Sequence, residues 1–316
     1  MDVVVLGSLN MDLVAQVPNL PQPGETLLGK SFATIPGGKG GNQAVAAARL
    51  GARTAMVGRV GNDDMGKTLC TYLESENIET QGVGISPRTS SGTALISVSP
   101  NNNQIVVIPG ANSEVSDGEL DVLMPYFEQA SVLLLQFEIP LDVVEKAAAL
   151  AYTAGLTVIV DPAPAQGPLP ADVCNYISIL TPNQTEAAML TGQPVEDVKS
   201  ASAAAEILQR QGIDTVIVKM GGMCCVCATS AGSFAVPVFP VDAIHTVAAG
   251  DAFNGGLAAA LCEFTREPGE PFSQNILKDA IDYASAVAAI SVTRTGGQTS
   301  MPRAAEVEEF LQFKRV

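Results

Sequence analysis

The chain has 316 residues, 47% of them hydrophobic and 16% charged, with a formal net charge of −16. This composition excludes a disordered chain, and the length is ample for a full core. The acidic balance argues against nucleic acid or anionic membranes as partners, and no apolar run approaches a membrane span.

The amino terminus, "MDVVVLGSLNMD", lacks the basic start and cleavage site of a signal peptide, so a cytoplasmic address is expected. "VVVLGS" (3–8) reads as a strand buried on both faces. Residues 42–52 read as a helix of small residues stopped at Gly51, 54–61 as a strand and 63–77 as a helix. Further strands are predicted at 132–138, 156–162 and 214–222, and helices at 141–154, 184–191, 196–211, 251–263, 275–293 and 304–314. Residues 13–36 and 92–109 break this alternation and read as antiparallel strands, with "SPNNNQ" as a turn. The fold class is therefore α/β: a doubly wound, mostly parallel sheet flanked by helices, with a small antiparallel β-sheet as a lid. One domain over 1–316 is expected. Ligands in such sheets bind beyond the carboxyl ends of the strands. That directs attention to Gly7–Asp12, Gly37–Asn42, Glu138, Asp161, Gly221–Gly222 and the surroundings of Asp251.

The six cysteines are expected to be free thiols. "CCVC" (224–227) has no second pair to complete a metal site and reads as an apolar strand. With His245 the only histidine, most hydrolase mechanisms lack a general base.

Two glycine-rich stretches compete for a phosphate. Gly24-x-x-x-x-Gly29-Lys30-Ser31 has the spacing of a phosphate loop. However, "PNLPQP" before it cannot be a central strand, and Pro36, Gly37 and Gly38 soon after it would stop a helix. The match is read as chance. The better place is "HTVAAGDAFNGGLAAAL" (245–261). There Ala248, Ala249 and Gly250 precede a helix, and their small side chains let unpaired amides approach an anion. Asp251 could accept a proton from an attacking hydroxyl, or could merely cap the helix. "PGGKGGNQAVAAARLGA" (36–52) supplies Gly38 for close backbone approach, with Lys39 and Asn42 as donors for sugar hydroxyls.

The segments "GSLNMD" (7–12), "GGKGGNQAVAAARLGA" (37–52) and "AAGDAFNG" (248–255), with "TPNQTEA" (181–187) and "GGQTS" (296–300), resemble the ribokinase-like (PfkB) carbohydrate kinase family. The resemblance covers the whole chain. It implies ATP-dependent phosphorylation of a sugar, D-ribose to ribose 5-phosphate, with Mg²⁺. It implies a sugar site of Asn10, Asp12, Gly38, Lys39, Asn42 and Glu138. Asp251 would be the base, and Ala248, Ala249 and Gly250 the anion hole. Asn183, Lys219, Gly221 and Gly222 would lie on the nucleotide side, with Glu186 near Mg²⁺ through water. The lid would join two copies into a homodimer. Other readings are a kinase for another sugar or nucleoside, or a non-catalytic sugar-binding protein.

The chain departs from the family at three places. His245 stands where the family usually has Asp, in the monovalent-cation region that also includes Gly296. Imidazole is a poor ligand for a hard cation, so K⁺ activation is expected to be weak or absent. Cys224 stands where a glycine often closes the nucleotide loop, which puts that loop's shape in question. Residues 263–275 are longer and more polar than the usual helix connection and read as a surface loop.

Overall fold

The computed structural model describes residues 1–100, 102–264 and 271–314. The first third contains β1 (Val3–Leu6), β2 (Asn10–Gln16), β3 (Ser31–Gly37), α1 (Lys39–Arg49), β4 (Thr54–Gly61), α2 (Asp64–Ser75), β5 (Glu79–Ser86), β6 (Gly92–Ser99) and β7 (Asn102–Ile108). Next come α3 (Asp117–Leu123), β8 (Val132–Gln136), α4 (Leu141–Thr153), β9 (Thr157–Asp161), α5 (Ala171–Cys174), β10 (Ile179–Leu180), α6 (Gln184–Thr191) and α7 (Val198–Arg210). The chain ends with β11 (Thr215–Lys219), β12 (Cys224–Thr229), β13 (Gly232–Pro237), α8 (Ala249–Leu261), α9 (Gln274–Ser291) and α10 (Ala304–Lys314).

The main sheet has nine strands in the order β13-β12-β11-β10-β9-β8-β1-β4-β5. Every pair from β11 to β5 is parallel; β12 and β13 join antiparallel at one edge. Strands β1, β8 and β9 are buried at every residue, as continuous apolar runs require. One apolar core lies between the sheet and α1, α2, α8, α9 and α10. The other lies on the opposite face, against α3, α4, α6 and α7. From β1 the chain runs outward to β4 and β5, then crosses to β8 and continues the other way. The strand order therefore reverses between β1 and β8, the place where such sheets open a binding crevice.

The second sheet has four strands, ordered β3-β2-β6-β7. Its outer pairs are antiparallel as expected, but the central pair, β2 with β6, is parallel. The reason is connectivity. β2 follows β1 and β6 follows β5, so both leave the same end of a parallel sheet in the same direction. β2 also begins at Asn10, earlier than the expected 13, and no strand spans 17–30. No helix starts at Lys30-Ser31, where β3 begins, which excludes the phosphate-loop reading.

Three strands escaped the sequence reading. β5 and β13 are edge strands with mixed burial, and β10 has only two residues, so none carries a clear apolar period. "CCVC" falls within β12, its cysteines buried and free, as expected. Cys224 has an ordinary negative φ, and its carbonyl accepts a 2.9 Å bond from the Met220 amide. A side chain there costs the β11–β12 turn no strain. Residues 265–270 of the predicted 263–275 loop lie outside the described residues.

Candidate active site

Helix α1 starts at Lys39, three residues earlier than its apolar pattern indicates, so Gly40 and Gly41 lie in its first turn. Gly38 caps it at φ 84°, a left-handed conformation that favours glycine. A Cβ there would stand 2.6 Å from the Asn10 amide nitrogen, so any side chain would push the loop off β2. Helix α1 also packs unusually close to α8. A Cβ on Gly255 would come within 2.3 Å of the Ala46 methyl. This close packing brings the polar residues of α1 to the first turn of α8.

Asp251 sits in that turn, 4% exposed. Its carboxylate does not cap its own helix, whose N-cap is Ala248 with no side-chain cap. Instead Oδ2 accepts a 2.8 Å bond from Asn42 Nδ2, and Oδ1 a 3.0 Å bond from Gln43 Nε2. The capping alternative for Asp251 is thereby excluded. Ala248 holds φ 67°, which a non-glycine residue adopts only when its surroundings impose it. The Ala249 amide, within the predicted anion hole, donates to the Thr246 carbonyl at 3.3 Å and so is not a free donor. Strain beside the open end of a helix is a recurrent feature of ligand sites.

Gln43 was absent from the sequence-based site, yet it joins both carboxylates in the crevice. Its Nε2 also donates to Asp161 Oδ2 at 3.2 Å, and its Oε1 accepts from Gln136 Nε2 at 2.7 Å. The amide orientation follows from charge: turned over, its oxygen would face two carboxylates. Asp161, at the end of β9, lies within 3.1 Å of Lys219 Nζ and 3.9 Å of Lys39 Nζ.

A second cluster lies at the β1/β8 crossing. Glu138 Oε2 accepts from Ser8 Oγ (2.5 Å), the Lys39 amide (3.3 Å) and Asn10 Nδ2 (3.5 Å). Asn10 Oδ1 accepts from Asn112 Nδ2 at 2.8 Å. Asn10 and Asp12 are two apart on β2 and so share a face. Ser8 and Gln43 lie within the family-like segments 7–12 and 37–52 but were not assigned to the site, and Asn112 lies in none of those segments. Asn42 Oδ1 is buried without a hydrogen-bond donor among the described residues.

Burial raises the Asp251 carboxyl above the ordinary Asp range; Asp161 adds to this, while Lys39, Asn42 and Gln43 oppose it. Asp12 is pushed up to about 7, by burial first and then by Glu138 and Asp251. For Lys39, burial favours the neutral form, but the carboxylates of Asp251, Asp161 and Glu138 prevail and raise it. Glu186 is raised by burial and by Asp161.

A cavity of about 640 Å³ opens beside this network. Asn183, Glu186, Lys219, Gly221, Gly222 and the 248–251 segment line it, together with Lys39 and Asp161. Its lining also includes the apolar Val238, Phe239, Phe253, Ala289 and Val292, of which only Phe253 falls within a family-like segment. Asn10, Asp12, Gly38, Asn42 and Glu138 lie outside that lining, linked to it through Asn42 on Asp251 and the Lys39 amide on Glu138. The predicted site residues thus fall into two groups that meet at Asp251 and Lys39.

Asn183 and Glu186 form a capping box on α6: the Asn183 amide donates to Glu186 Oε2 (2.8 Å) and the Glu186 amide to Asn183 Oδ1 (2.9 Å). Glu186 still faces the cavity beside Asp161. An oxygen donor set of one or two carboxylates next to bound phosphates fits Mg²⁺, which keeps much of its water. The monovalent-cation region fits poorly. His245 is half-buried, burial favours its neutral form, and its buried Nδ1 finds no partner among the described residues. Gly296 holds φ 106° in the loop before Gly297, whose own Cβ would meet Asn42 Oδ1.

The model for the pfkB family of carbohydrate kinases matches residues 1–304. The chain is 41% identical over 309 residues to a ribokinase of Haemophilus influenzae, covering 98% of this chain and 97% of that one. It is 36% identical over 314 residues to a deoxyribokinase of Salmonella typhi, covering 99% of both. Among solved structures, an Arabidopsis thaliana ribokinase complexed with ribose and ATP superposes with a TM-score of 0.87 at 30% identity, covering 99% of both chains. With a buried carboxylate at a helix end between two polar clusters, and likeness along its full length, the chain belongs to the pfkB family of carbohydrate kinases.

Proposed function

We propose that this protein is a D-ribose kinase that uses ATP to make ribose 5-phosphate. One observation carries the reading: Asp251 is held by Asn42 and Gln43, not by its own helix, at the border between the sugar-side cluster and the cavity. The solved relative with ribose and ATP supports this choice of substrates.

Ribose lies between Asn10, Asp12, the 38–42 segment and Glu138. Asn42 Oδ1, buried without a donor among the described residues, gains one from a sugar hydroxyl. Asp251 takes the proton of the terminal hydroxyl as its oxygen bonds to the γ-phosphorus, and the bond from that phosphorus to ADP breaks. The first-turn amides of α8 receive the charge that develops on the phosphoryl oxygens. Mg²⁺, near Glu186, supplies charge neutralisation of the phosphates when bound. K⁺ plays little part, because His245 replaces a carboxylate. The four-stranded sheet acts as the lid and excludes water. It leaves Leu95, Val106, Val107 and Ile108 exposed, and a second copy covers them in a homodimer. The protein works in the cytoplasm.

Deoxyribose is the second reading, favoured by the deoxyribokinase relative at 36% identity. A panel of ribose, 2-deoxyribose, fructose and adenosine, with ATP consumption as the readout, separates these. The highest kcat/KM should fall on ribose. Turnover confined to another member of the panel reassigns the substrate, and sugar binding without any turnover removes the kinase reading.

A further inference from the structure

Asn112 makes three hydrogen bonds at the root of the four-stranded sheet, and one of them ends on the sugar-side cluster. It stands on the short 3-10 turn Gly110–Glu114 that follows β7 and is 1% exposed. Its Oδ1 accepts from the Leu9 amide at 2.9 Å. Its Nδ2 donates to the Leu9 carbonyl at 3.2 Å and to Asn10 Oδ1 at 2.8 Å. A backbone amide can only donate and a backbone carbonyl only accept, so Leu9 fixes which way the Asn112 amide points. That in turn fixes Asn10, which is also buried. The Asn10 oxygen is filled from Asn112, and its nitrogen faces Glu138 Oε2 at 3.5 Å. Turned over, Asn10 would set nitrogen against nitrogen and oxygen against a carboxylate. A primary amide nitrogen carries two N–H groups. Glu138 is the one acceptor that this nitrogen has among the described residues, so its second N–H stays open.

We propose that Asn112 is a positioning residue of the sugar site: it holds the Asn10 amide so that a sugar hydroxyl meets an N–H donor there and not a carbonyl oxygen. The inference rests on the placement of the sugar beside Asn10 and deepens it. A staple for the loop would end at the two Leu9 bonds and would not need the third. Gly92 keeps the meeting place of the two amides clear, because a Cβ there would stand 2.2 Å from both Asn10 Oδ1 and Asn112 Nδ2. The adjacent Ala111 amide donates to the Ser90 carbonyl at 2.8 Å, so the same turn also holds the entry to β6. The donor offered to the sugar is thereby set by the segments that cross between the two sheets, and not by β2 alone.

The test uses the full chain with Asn112→Met, Asn112→Ser, Asn10→Ala and the double variant Asn10→Ala/Asn112→Met. Calorimetry measures ATP, ribose and three ribose analogues that each lack the 1-, 2- or 3-hydroxyl; steady-state assays separate kcat from KM. Asn112→Met should weaken ribose about 10-fold, a usual cost of leaving a buried polar group unpaired. ATP affinity should be unchanged and kcat within about threefold, because Asn42 and Gln43 still hold Asp251. The analogue that lacks the hydroxyl read by Asn10 should weaken by less than about twofold, since it never used that donor. In the Asn10→Ala background, Asn112→Met should cost less than a further twofold or so. If ribose and all three analogues weaken by one factor, or if the two substitutions add, Asn112 is a staple and the positioning role is overturned. Should Asn112→Met lose ATP binding along with its fold, Asn112→Ser gives the same readings. Hydrogen exchange on the wild type needs no variant: the Asn112 side-chain amide protons should exchange much more slowly than those of the exposed Asn103, and equal rates overturn the bond. If instead Asn10→Ala keeps ribose affinity within about twofold of the wild type, the sugar's placement itself falls, and this role with it.

Discussion

Gln43 and Asp251 lie 208 positions apart in the chain and meet across a 3.0 Å hydrogen bond. The same Gln43 nitrogen reaches Asp161 at 3.2 Å, so one amide serves two carboxylates. Its two N–H bonds keep two like charges at a fixed separation in a buried place, where their repulsion is least screened.

Asp251→Asn should lower kcat by about 10²–10⁴-fold, the usual contribution of a general base. Ribose affinity should stay near normal, because the sugar's other contacts remain. Turnover assays paired with ribose calorimetry check this. Near-normal turnover would remove Asp251 as the base.

Gln43→Met should shift the pH profile. The Gln43 hydrogen bond favours the ionised Asp251 carboxylate against the effect of burial. Without that bond the carboxyl rises further. The base must be ionised to accept a proton, so activity is lost as pH falls through its pKa. The acid limb of kcat/KM should therefore move to higher pH in Gln43→Met. An unmoved limb, measured over the pH range where the wild type is stable, would show that the contact does not tune the base.

Asp12→Asn should affect stability in a pH-dependent way. Asp12 is raised from 3.8 to about 7 by burial, Glu138 and Asp251. Between those values the folded state binds more protons than the unfolded state. Wild-type stability attributable to this group is therefore lost as pH rises through that window. Asparagine has no such penalty. The melting temperature of Asp12→Asn minus that of the wild type should grow between pH about 4 and about 7, then level off. A constant difference across that range contradicts the assigned environment.

His245 should leave the enzyme nearly indifferent to K⁺, with less than about twofold activation, because imidazole is a poor ligand for a hard cation. His245→Asp restores an oxygen ligand and should create K⁺ activation. Rates in potassium against tetramethylammonium chloride measure both. Strong activation of the wild type would show that the region binds the cation without a carboxylate at 245.

Much of the fold was legible because its signals are local. The buried runs of β1, β8 and β9 and the small-residue stretch of α1 declare themselves in consecutive residues. So do the tiny residues before Asp251, and the proline-rich context that rules out Gly24–Ser31 as a phosphate loop. Edge strands such as β5 did not, since half-exposed backbone imposes no apolar pattern. The parallel pairing of β2 with β6 could not be read from either strand, because it depends on where two distant strands leave the main sheet. Gln43, Ser8 and Asn112 are ordinary polar residues in sequence. They became site residues only when α1 packed against α8 and β1 beside β8. Sequence determined which residues could bind, donate or accept a proton; the tertiary structure decided which of them share a carboxylate. Hydrogen bonds and charge coupling act over a few ångströms of space, and a linear chain does not specify those distances until it is packed.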